Sequence, residues 1–113
     1  MVPMVIAGIG TANPPHRITS ADAAEIAQKF SCETPAQRRM FHTMYRRSGV
    51  ETRHSVLLEA SGGSLEARQS FFAEGEPTTR DRMRRYEDGA GPLAASAARA
   101  ALRDAAIAPT RVT

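Results

Sequence analysis

One short apolar run constrains the fold more than any other feature of this chain. Residues 3–10 read Pro-Met-Val-Ile-Ala-Gly-Ile-Gly, and a loop with Asn13-Pro14-Pro15 follows. A run of this length and composition, bounded by turn residues, is typical of a buried β-strand. No other stretch predicts a strand as clearly, and one strand cannot complete a sheet. The chain is therefore expected to supply an incomplete part of an α/β fold, with one N-terminal strand followed mainly by helices.

Capping signals predict two helices after the first loop. Thr19 or Ser20 caps a helix that runs to Phe30, with an acidic residue near its start and a lysine near its end, as the helix dipole favours. Pro35 is well placed at the first position of a second helix. Gly49 follows two arginines and a serine, which predicts the C-terminal end of that helix.

The second half of the chain is mainly helical by pattern. Residues 50–58 alternate loosely and are compatible with an extended segment, and Leu65 to Phe72 predicts a short helical turn. Pro77-Thr78-Thr79 opens a long helical tract that Pro109 ends. Because a proline inside a helix removes a hydrogen bond and clashes with the preceding turn, Pro92 predicts two helices or one helix bent near residue 90.

Composition excludes several classes of protein. The chain has 113 residues, 42% hydrophobic and 24% charged, with one cysteine, so it is neither a disulfide scaffold nor a collagen. No apolar run approaches the roughly 20 residues of a membrane span, and the start lacks the basic region of a signal peptide, so a cytoplasmic protein is expected. The net charge is +3, but acidic residues interrupt the arginine groups, so a nucleic-acid partner is not expected.

Few residues have the pattern of a reactive site. Cys32 lies between two predicted helices and is interpreted as an inert loop cysteine. His16, His42 and His54 are isolated, and no metal-ligand spacing exists. Gly8-Ile9-Gly10 resembles half of a dinucleotide fingerprint, but Asn13 stands in place of the third glycine, so a tight exit from the strand is the better interpretation.

Arg46 and Arg47 at the end of the second helix have two interpretations. As charged, forked donors they could contact a phosphate-bearing ligand. They could equally compensate the helix dipole and keep the surface soluble.

Four stretches, taken in order, resemble type III polyketide synthases, the chalcone and stilbene synthase-like enzymes. The last two resemble the bacterial branch in particular. The stretches are Ile9-Gly-Thr-Ala-Asn-Pro-Pro15, Tyr45-Arg-Arg-Ser-Gly-Val-Glu-Thr-Arg-His54, Pro77-Thr-Thr-Arg-Asp-Arg-Met-Arg-Arg-Tyr86 and Pro92-Leu-Ala-Ala-Ser-Ala-Ala-Arg-Ala-Ala-Leu102.

The resemblance implies that residues 1–113 are the N-terminal portion of a chalcone/stilbene synthase-like N-terminal domain, with the remainder of its thiolase-like fold missing. Members of the family are homodimers that load an acyl-CoA starter onto a cysteine and extend it with malonyl-CoA, with CoA thioesters as substrates and no further cofactor. Their catalytic residues are cysteine, histidine and asparagine. Neither Cys32 nor the three histidines match those positions, so the fragment is expected to be inactive and to contain no catalytic residue.

The resemblance also bears on the arginines of the second helix. Plant members hold the CoA phosphates with basic residues in this region, and the last of these matches Arg47. The two earlier ones fall on Met40 and Thr43, which cannot pair with phosphate. A CoA-phosphate contact is therefore expected at Arg47, with Arg46 sharing the task.

Two alternatives stay open. The related β-ketoacyl synthase III enzymes share the Arg-x-Gly-Val-x-x-Arg-His pattern, and they differ in whether the extender is malonyl-CoA or a malonyl-carrier protein. A standalone, arginine-rich helical module that binds a partner belongs to a different class. Such a module should unfold cooperatively and stay monodisperse, whereas a fragment should be loose or aggregate through unpaired strand edges.

Overall fold

A computed structural model describes residues 3–112, which form two compact units. The first unit joins the residues up to Asn13 to those from Tyr86 onward, and the second runs from Pro14 to Arg85. In chain order the elements are β1 (Arg17–Thr19), α1 (Ser20–Ser31), α2 (Pro35–Arg47), β2 (Thr52–His54), a 3-10 turn (Glu66–Arg68), α3 (Thr79–Asp104) and a second 3-10 turn (Pro109–Arg111). Mixed α/β character is thereby confirmed, with three helices and a two-stranded sheet among the described residues.

The predicted N-terminal strand does not form. Residues 3–10 have no strand partner within residues 3–112, and a strand without a partner leaves its backbone groups unpaired. Burial is also absent: Met4, Val5 and Ile6 are 98%, 81% and 83% exposed. The prediction of a buried strand is wrong for this chain. Apolar residues provide a face that can be buried, but a strand also needs a neighbouring strand to pair with, and residues 3–112 provide none for this segment.

The same segment lies instead against the C-terminal half of α3, within the first unit. The backbone N–H of Ile9 donates to Oδ2 of Asp104 at 3.0 Å. A Cβ atom placed on Gly8 would lie 2.5 Å from the carbonyl oxygen of Ala101, and one placed on Gly10 would collide with the backbone of the same helix. The two glycines therefore serve a close approach of backbone to helix, and the expectation of a tight exit from a strand is replaced by this packing.

The observed sheet is formed by two strands of three residues. β1 and β2 are antiparallel, with Ile18 opposite Arg53 at the centre of the register. The sequence predicts a loop with Asn13-Pro14-Pro15, and the strand β1 directly after that loop was not expected. The loosely alternating stretch from residue 50 to 58 was expected to be extended, which β2 confirms over Thr52–His54.

The helix boundaries follow the capping signals. The Thr19 hydroxyl accepts a hydrogen bond from the backbone N–H of Asp22 at 3.1 Å, which caps α1. At the start of α2, Thr34 and Gln37 form a reciprocal capping box, with Pro35 in the first turn. Gly49, just past α2, has a φ of 70°, a conformation that glycine adopts without strain. The predicted starts of α1 and α2 and the end of α2 are confirmed.

Helix α3 continues through its internal proline. It runs as one element over Thr79–Asp104 with Pro92 inside, so the alternative of two separate helices is wrong. Thr78 and Asp81 cap the start of α3. Oδ2 of Asp81 accepts hydrogen bonds from the Thr78 backbone N–H at 2.9 Å and from the Thr78 hydroxyl at 2.6 Å. In return, the backbone N–H of Asp81 donates to Thr78 Oγ1 at 3.2 Å. This pair satisfies donors that a helix start leaves unpaired.

The Asp81 cap predicts a pH-dependent contribution to stability. The hydrogen bonds from Thr78 lower the pKa of Asp81 below its usual range. A carboxyl group whose folded pKa is depressed stabilises the fold above its unfolded pKa of about 3.9, and that contribution is lost as the pH falls through the folded value. We expect Asp81→Asn to flatten the acid-side loss of stability, measured by circular dichroism melting between about pH 2 and pH 6.

Asp88→Asn, in the same helix and away from the cap, is the matched control for Asp81→Asn. It should leave the acid-side slope as in the unaltered chain. An Asp81→Asn profile that coincides with that of the control would contradict the capping role.

The small core lies in the second unit, between the sheet and α1. Its buried apolar residues are Ile18, Ala24, Cys32 and Leu58. Cys32 caps the C-terminal end of α1, so the expected loop cysteine is a buried packing residue. Within residues 3–112 no helix is both long and apolar enough to cross a membrane.

Candidate functional site

Helix α2 carries the arginines that the sequence singles out for a phosphate ligand. Arg46 and Arg47 form its last turn, where cations interact favourably with the helix dipole. Both side chains are exposed, and neither takes part in an ion pair among residues 3–112. Their charge is therefore available to an anion from solvent.

Arg46 lines a groove of about 440 Å³ between the ends of α1 and α2. His42, one helical turn earlier, lines the same groove, as do Ser20 and Glu51. The carboxylate of Glu51 opposes anion binding at this position, whereas the histidine and the arginine favour it.

Arg47 points to a different face of the helix. Consecutive residues of an α-helix are about 100° apart, so Arg47 shares its face with Met40 and Met44 and not with Arg46. Both methionines are more than half exposed, at 53% and 60%. The two sequence-predicted residues are thus adjacent in the chain, but α2 does not bring them together on one surface.

Helix α2 carries a second arginine cluster, to which the sequence assigned no ligand. Arg38, Arg39 and His42 line a groove of about 310 Å³ together with Gln28 and Thr43. The four-residue spacing of Arg38 and His42 is the signal that places these two on one helix face. No acidic side chain lines this groove.

Arg53 has a defined setting that sequence reasoning did not identify. Its guanidinium lies 4.5 Å from the ring centre of Tyr45, and it donates to Ser20 Oγ at 2.7 Å and to Ser48 Oγ at 3.4 Å. All of these partners are neutral, so the positive charge of a half-buried side chain is not compensated by a carboxylate among residues 3–112. The sequence signal that could have identified Arg53 is its place in the family-like motif that begins at Tyr45.

Gln69 is a buried polar residue that was also missed. It is 3% exposed, and its Oε1 accepts a hydrogen bond from the backbone N–H of Phe72 at 3.1 Å. Its Nε2 has no hydrogen-bond partner in residues 3–112. Leaving a buried donor unsatisfied costs about 1–3 kcal/mol, so this amide is a local cost to the stability of the second unit.

Two ion pairs fix the loop that carries Gln69. Arg68 donates to Asp22 at 2.7 Å and, through Nε, to the carbonyl of Gly63 at 3.0 Å, which ties the loop to α1. Lys29 pairs with Glu66, and this hydrogen bond lowers the pKa of Glu66. The two ion pairs therefore fix the position of this loop against α1.

The other sequence candidates are dispersed: His42 lines both α2 grooves, whereas His54 follows Arg53 on β2. His54 contacts the carbonyl oxygen of Pro14 through Nδ1 at 2.9 Å. Across residues 3–112 no three histidine, cysteine or acidic side chains come together in a way that could hold a metal ion.

Comparison with curated proteins indicates a class, the polyketide synthase-like proteins. The chain is 31% identical over 99 residues to a protein of Mycobacterium tuberculosis described as alpha-pyrone synthesis polyketide synthase-like Pks18. The protein of the same description from Mycobacterium bovis has the same identity over the same length. The alignment covers 87% of this chain and 23% of each relative, so the chain spans about a quarter of the length of the curated relatives it matches.

The other comparisons give no match. No protein-family profile matches the chain, and no solved structure matches it. The curated relatives therefore support the polyketide synthase resemblance at the level of the broad family.

Proposed function

We propose that this chain is the N-terminal part of a type III polyketide synthase-like acyltransferase, which condenses an acyl-CoA starter with malonyl-CoA. The observation that carries the proposal is the similarity of 87% of the chain to polyketide synthase-like proteins. The order of the four family-like stretches along the chain is part of the same resemblance. On this proposal the chain alone is inactive, because it holds no match to the family's cysteine, histidine and asparagine.

The proposed position of this part within the larger enzyme rests on the family resemblance, and it gives its exposed surfaces a role. Residues 1–113 would form the beginning of a chalcone/stilbene synthase-like N-terminal domain of a thiolase-like homodimer. The exposed apolar side chains of Met4, Val5 and Ile6 would then be covered by the remainder of that fold. Covering them removes apolar surface from water, which stabilises the assembled domain.

In the intact enzyme, α2 would contribute to binding the CoA phosphates. A guanidinium presents planar, forked donors that match phosphate oxygens, and it stays charged at every physiological pH. Arg47 is exposed and has no ion-pair partner in residues 3–112, so a phosphate meets little competition there. Arg46, on the neighbouring face beside Glu51, would add attraction at longer range.

The contact at Arg47 predicts a change in substrate affinity. We expect Arg47→Ala in the intact enzyme to raise the KM for acyl-CoA and malonyl-CoA by about threefold to tenfold, the size of one exposed charge-assisted hydrogen bond at roughly 1 kcal/mol. The kcat should stay the same, because the phosphates are remote from the reacting thioester. Steady-state kinetics with both substrates measures this.

Arg84→Ala, which removes an arginine from α3, serves as the control and should leave both constants unchanged. A KM for Arg47→Ala equal to that of the control would remove Arg47 from the CoA site.

The proposal as a whole is tested first on the encoding DNA. Sequencing past the codon for Thr113 should show an open frame that continues into strands and a cysteine-bearing loop. The intact protein, supplied with an acyl-CoA and malonyl-CoA, should then release CO2 and free CoA. Activity with a malonyl-carrier protein in place of malonyl-CoA would favour the β-ketoacyl synthase III alternative. A stop codon directly after Thr113 would favour a standalone binding module.

A further inference from the structure

The groove at the middle of α2 is separate from the helix face that carries Arg47. We call it the Arg39 groove, and its volume is about 310 Å³. Consecutive helix residues are about 100° apart, so Arg39 lies about 80° around the helix from Arg47, and Arg38 lies on the side opposite Arg47. Five residues line the groove, one from α1 and four from α2: Gln28, Arg38, Arg39, His42 and Thr43.

Helix α2 carries positive charge that the described part of the chain does not compensate. Residues 35–47 include four arginines and one histidine, and no aspartate or glutamate. Neither Arg38 nor Arg39 forms an ion pair within residues 3–112. Glu25 and Glu66 line a neighbouring groove that Arg38 also borders, but neither lines the Arg39 groove, and Glu66 is already paired with Lys29.

The helix dipole accounts for the arginines at the end of α2 but not for Arg38 and Arg39. Because α2 begins at Pro35, these two lie in its N-terminal half, where the dipole gives cations no stabilisation. No residue three or four positions from either arginine is a carboxylate, so ion pairing along the helix does not stabilise them. A bound anion would provide the compensation that the helix itself lacks.

The polar groups that line the Arg39 groove are hydrogen-bond donors. The two guanidiniums offer forked N–H groups, and the imidazole, the hydroxyl and the amide add further donors. Among residues 3–112, no carboxylate and no large apolar side chain lines the groove. A carboxylate presents only two oxygens to such a set, whereas a phosphoryl group on an ester presents three oxygens and up to two charges. The lining therefore fits a phosphoryl group better than a carboxylate.

We propose that the Arg39 groove binds a phosphoryl group, held by the guanidiniums of Arg38 and Arg39 with His42 and Thr43 as further donors. Both arginines are exposed, so the ligand reaches them from solvent without a change in the fold. The chemistry is shared by a nucleotide and by a phosphorylated compound without a base. This inference goes beyond the proposed acyltransferase function, because the site uses neither Arg46 nor Arg47.

NMR titration of the isotope-labelled chain, followed through the Nε–Hε signals of its arginines, tests the site. We expect saturable shifts at Arg38 and Arg39 with inorganic phosphate, about tenfold tighter than with acetate because of the second charge and the additional oxygens. The phosphate affinity should fall as salt is raised. Equal affinities for phosphate and acetate, or shifts of the same size at Arg80 on α3, would overturn the proposal.

Two further probes distinguish the sources of the phosphoryl group. Adenosine monophosphate and glycerol phosphate each carry one such group. Tighter binding of adenosine monophosphate would assign the groove to a nucleotide, and equal binding of the two would show that the phosphoryl group alone is recognised.

Variants separate a local site from a general effect of charge. Arg39→Met keeps an unbranched stem at an exposed helix position, so the helix should be retained, and it should weaken phosphate binding about fivefold or more. Arg39→Lys keeps the charge without the forked donors and should lie between Arg39→Met and the unaltered chain. Arg80→Met makes the same change in net charge on α3 and should bind phosphate as the unaltered chain does.

Equal weakening in Arg39→Met and Arg80→Met would show that net charge alone attracts the anion, and the assignment would be wrong. If a variant does not fold, which its melting curve shows, the position of the shifts on the unaltered chain decides.

Discussion

Gly10→Ala is expected to detach the N-terminal segment from α3. A Cβ atom at this position would collide with the backbone N of Ala101 and the carbonyl oxygen of Ala97, and it would lie 2.9 Å from the carbonyl carbon of Ala100. Helix backbone cannot rotate out of the way as a flexible side chain can. Overpacking of this kind costs about 1–3 kcal/mol or more, so we expect a loss of that size in the free energy of unfolding of the first unit. Chemical denaturation followed by circular dichroism measures it.

Gly62→Ala provides the control for this substitution. Nothing lies within 4 Å of a Cβ atom placed on Gly62, and its change should be close to zero. Limited proteolysis gives a second measurement, because detached residues 3–13 should be cleaved first in Gly10→Ala. Equal stability and equal cleavage of the two variants would show that the close approach to α3 does not form in solution.

Pro92→Ala is expected to have a large effect in the opposite direction. Pro92 lies inside α3 with an exposed side chain, so it contributes little burial while removing one helix hydrogen bond. Proline costs about 3 kcal/mol in a helix interior relative to alanine. Proline also reduces the conformational entropy of the unfolded chain, which offsets up to about 1 kcal/mol of that cost. We therefore expect a net stabilisation of about 2 kcal/mol, measured by thermal unfolding and by the helical signal at 222 nm.

The neighbouring Gly91 allows a graded comparison with Pro92. Gly91→Ala meets no atom within 4 Å and should stabilise α3 by about 0.5–1 kcal/mol, less than Pro92→Ala. If Pro92→Ala gives no gain, or a smaller gain than Gly91→Ala, the local geometry at Pro92 is one that the helix requires.

Local signals were sufficient for the helices but not for the strands. A cap needs only a side chain and a backbone group three residues away, as Thr34 and Gln37 show, so sequence patterns contain all of the required information. A strand requires a partner strand, and the sequence pattern of one strand does not identify that partner. The run from residue 3 to 10 has the composition of a strand and no partner within residues 3–112, whereas polar Thr52–His54 pairs with Arg17–Thr19 across more than 30 residues of chain.

The chemical character of the candidate site could be predicted from the sequence, but the spatial arrangement of its residues could not. The charge of Arg46 and Arg47 is evident from the sequence, but helix geometry places them on different faces, and only the fold shows that Glu51 lies beside Arg46. Gln69 gave no signal at all, because burial of a glutamine depends on elements distant in sequence that cover it. The CoA-phosphate role of Arg47 stays a prediction.

The contact between Gly10 and α3 has a consequence for how the chain tolerates mutation. A clash between side chains can be relieved by a smaller residue at the second position, but the atoms facing Gly10 belong to the main chain of residues 97–101 and are present whatever side chain is chosen. In a deep mutational scan, no second-site change within that stretch of α3 should restore a Gly10 variant. Revertants should consequently carry glycine again at this codon.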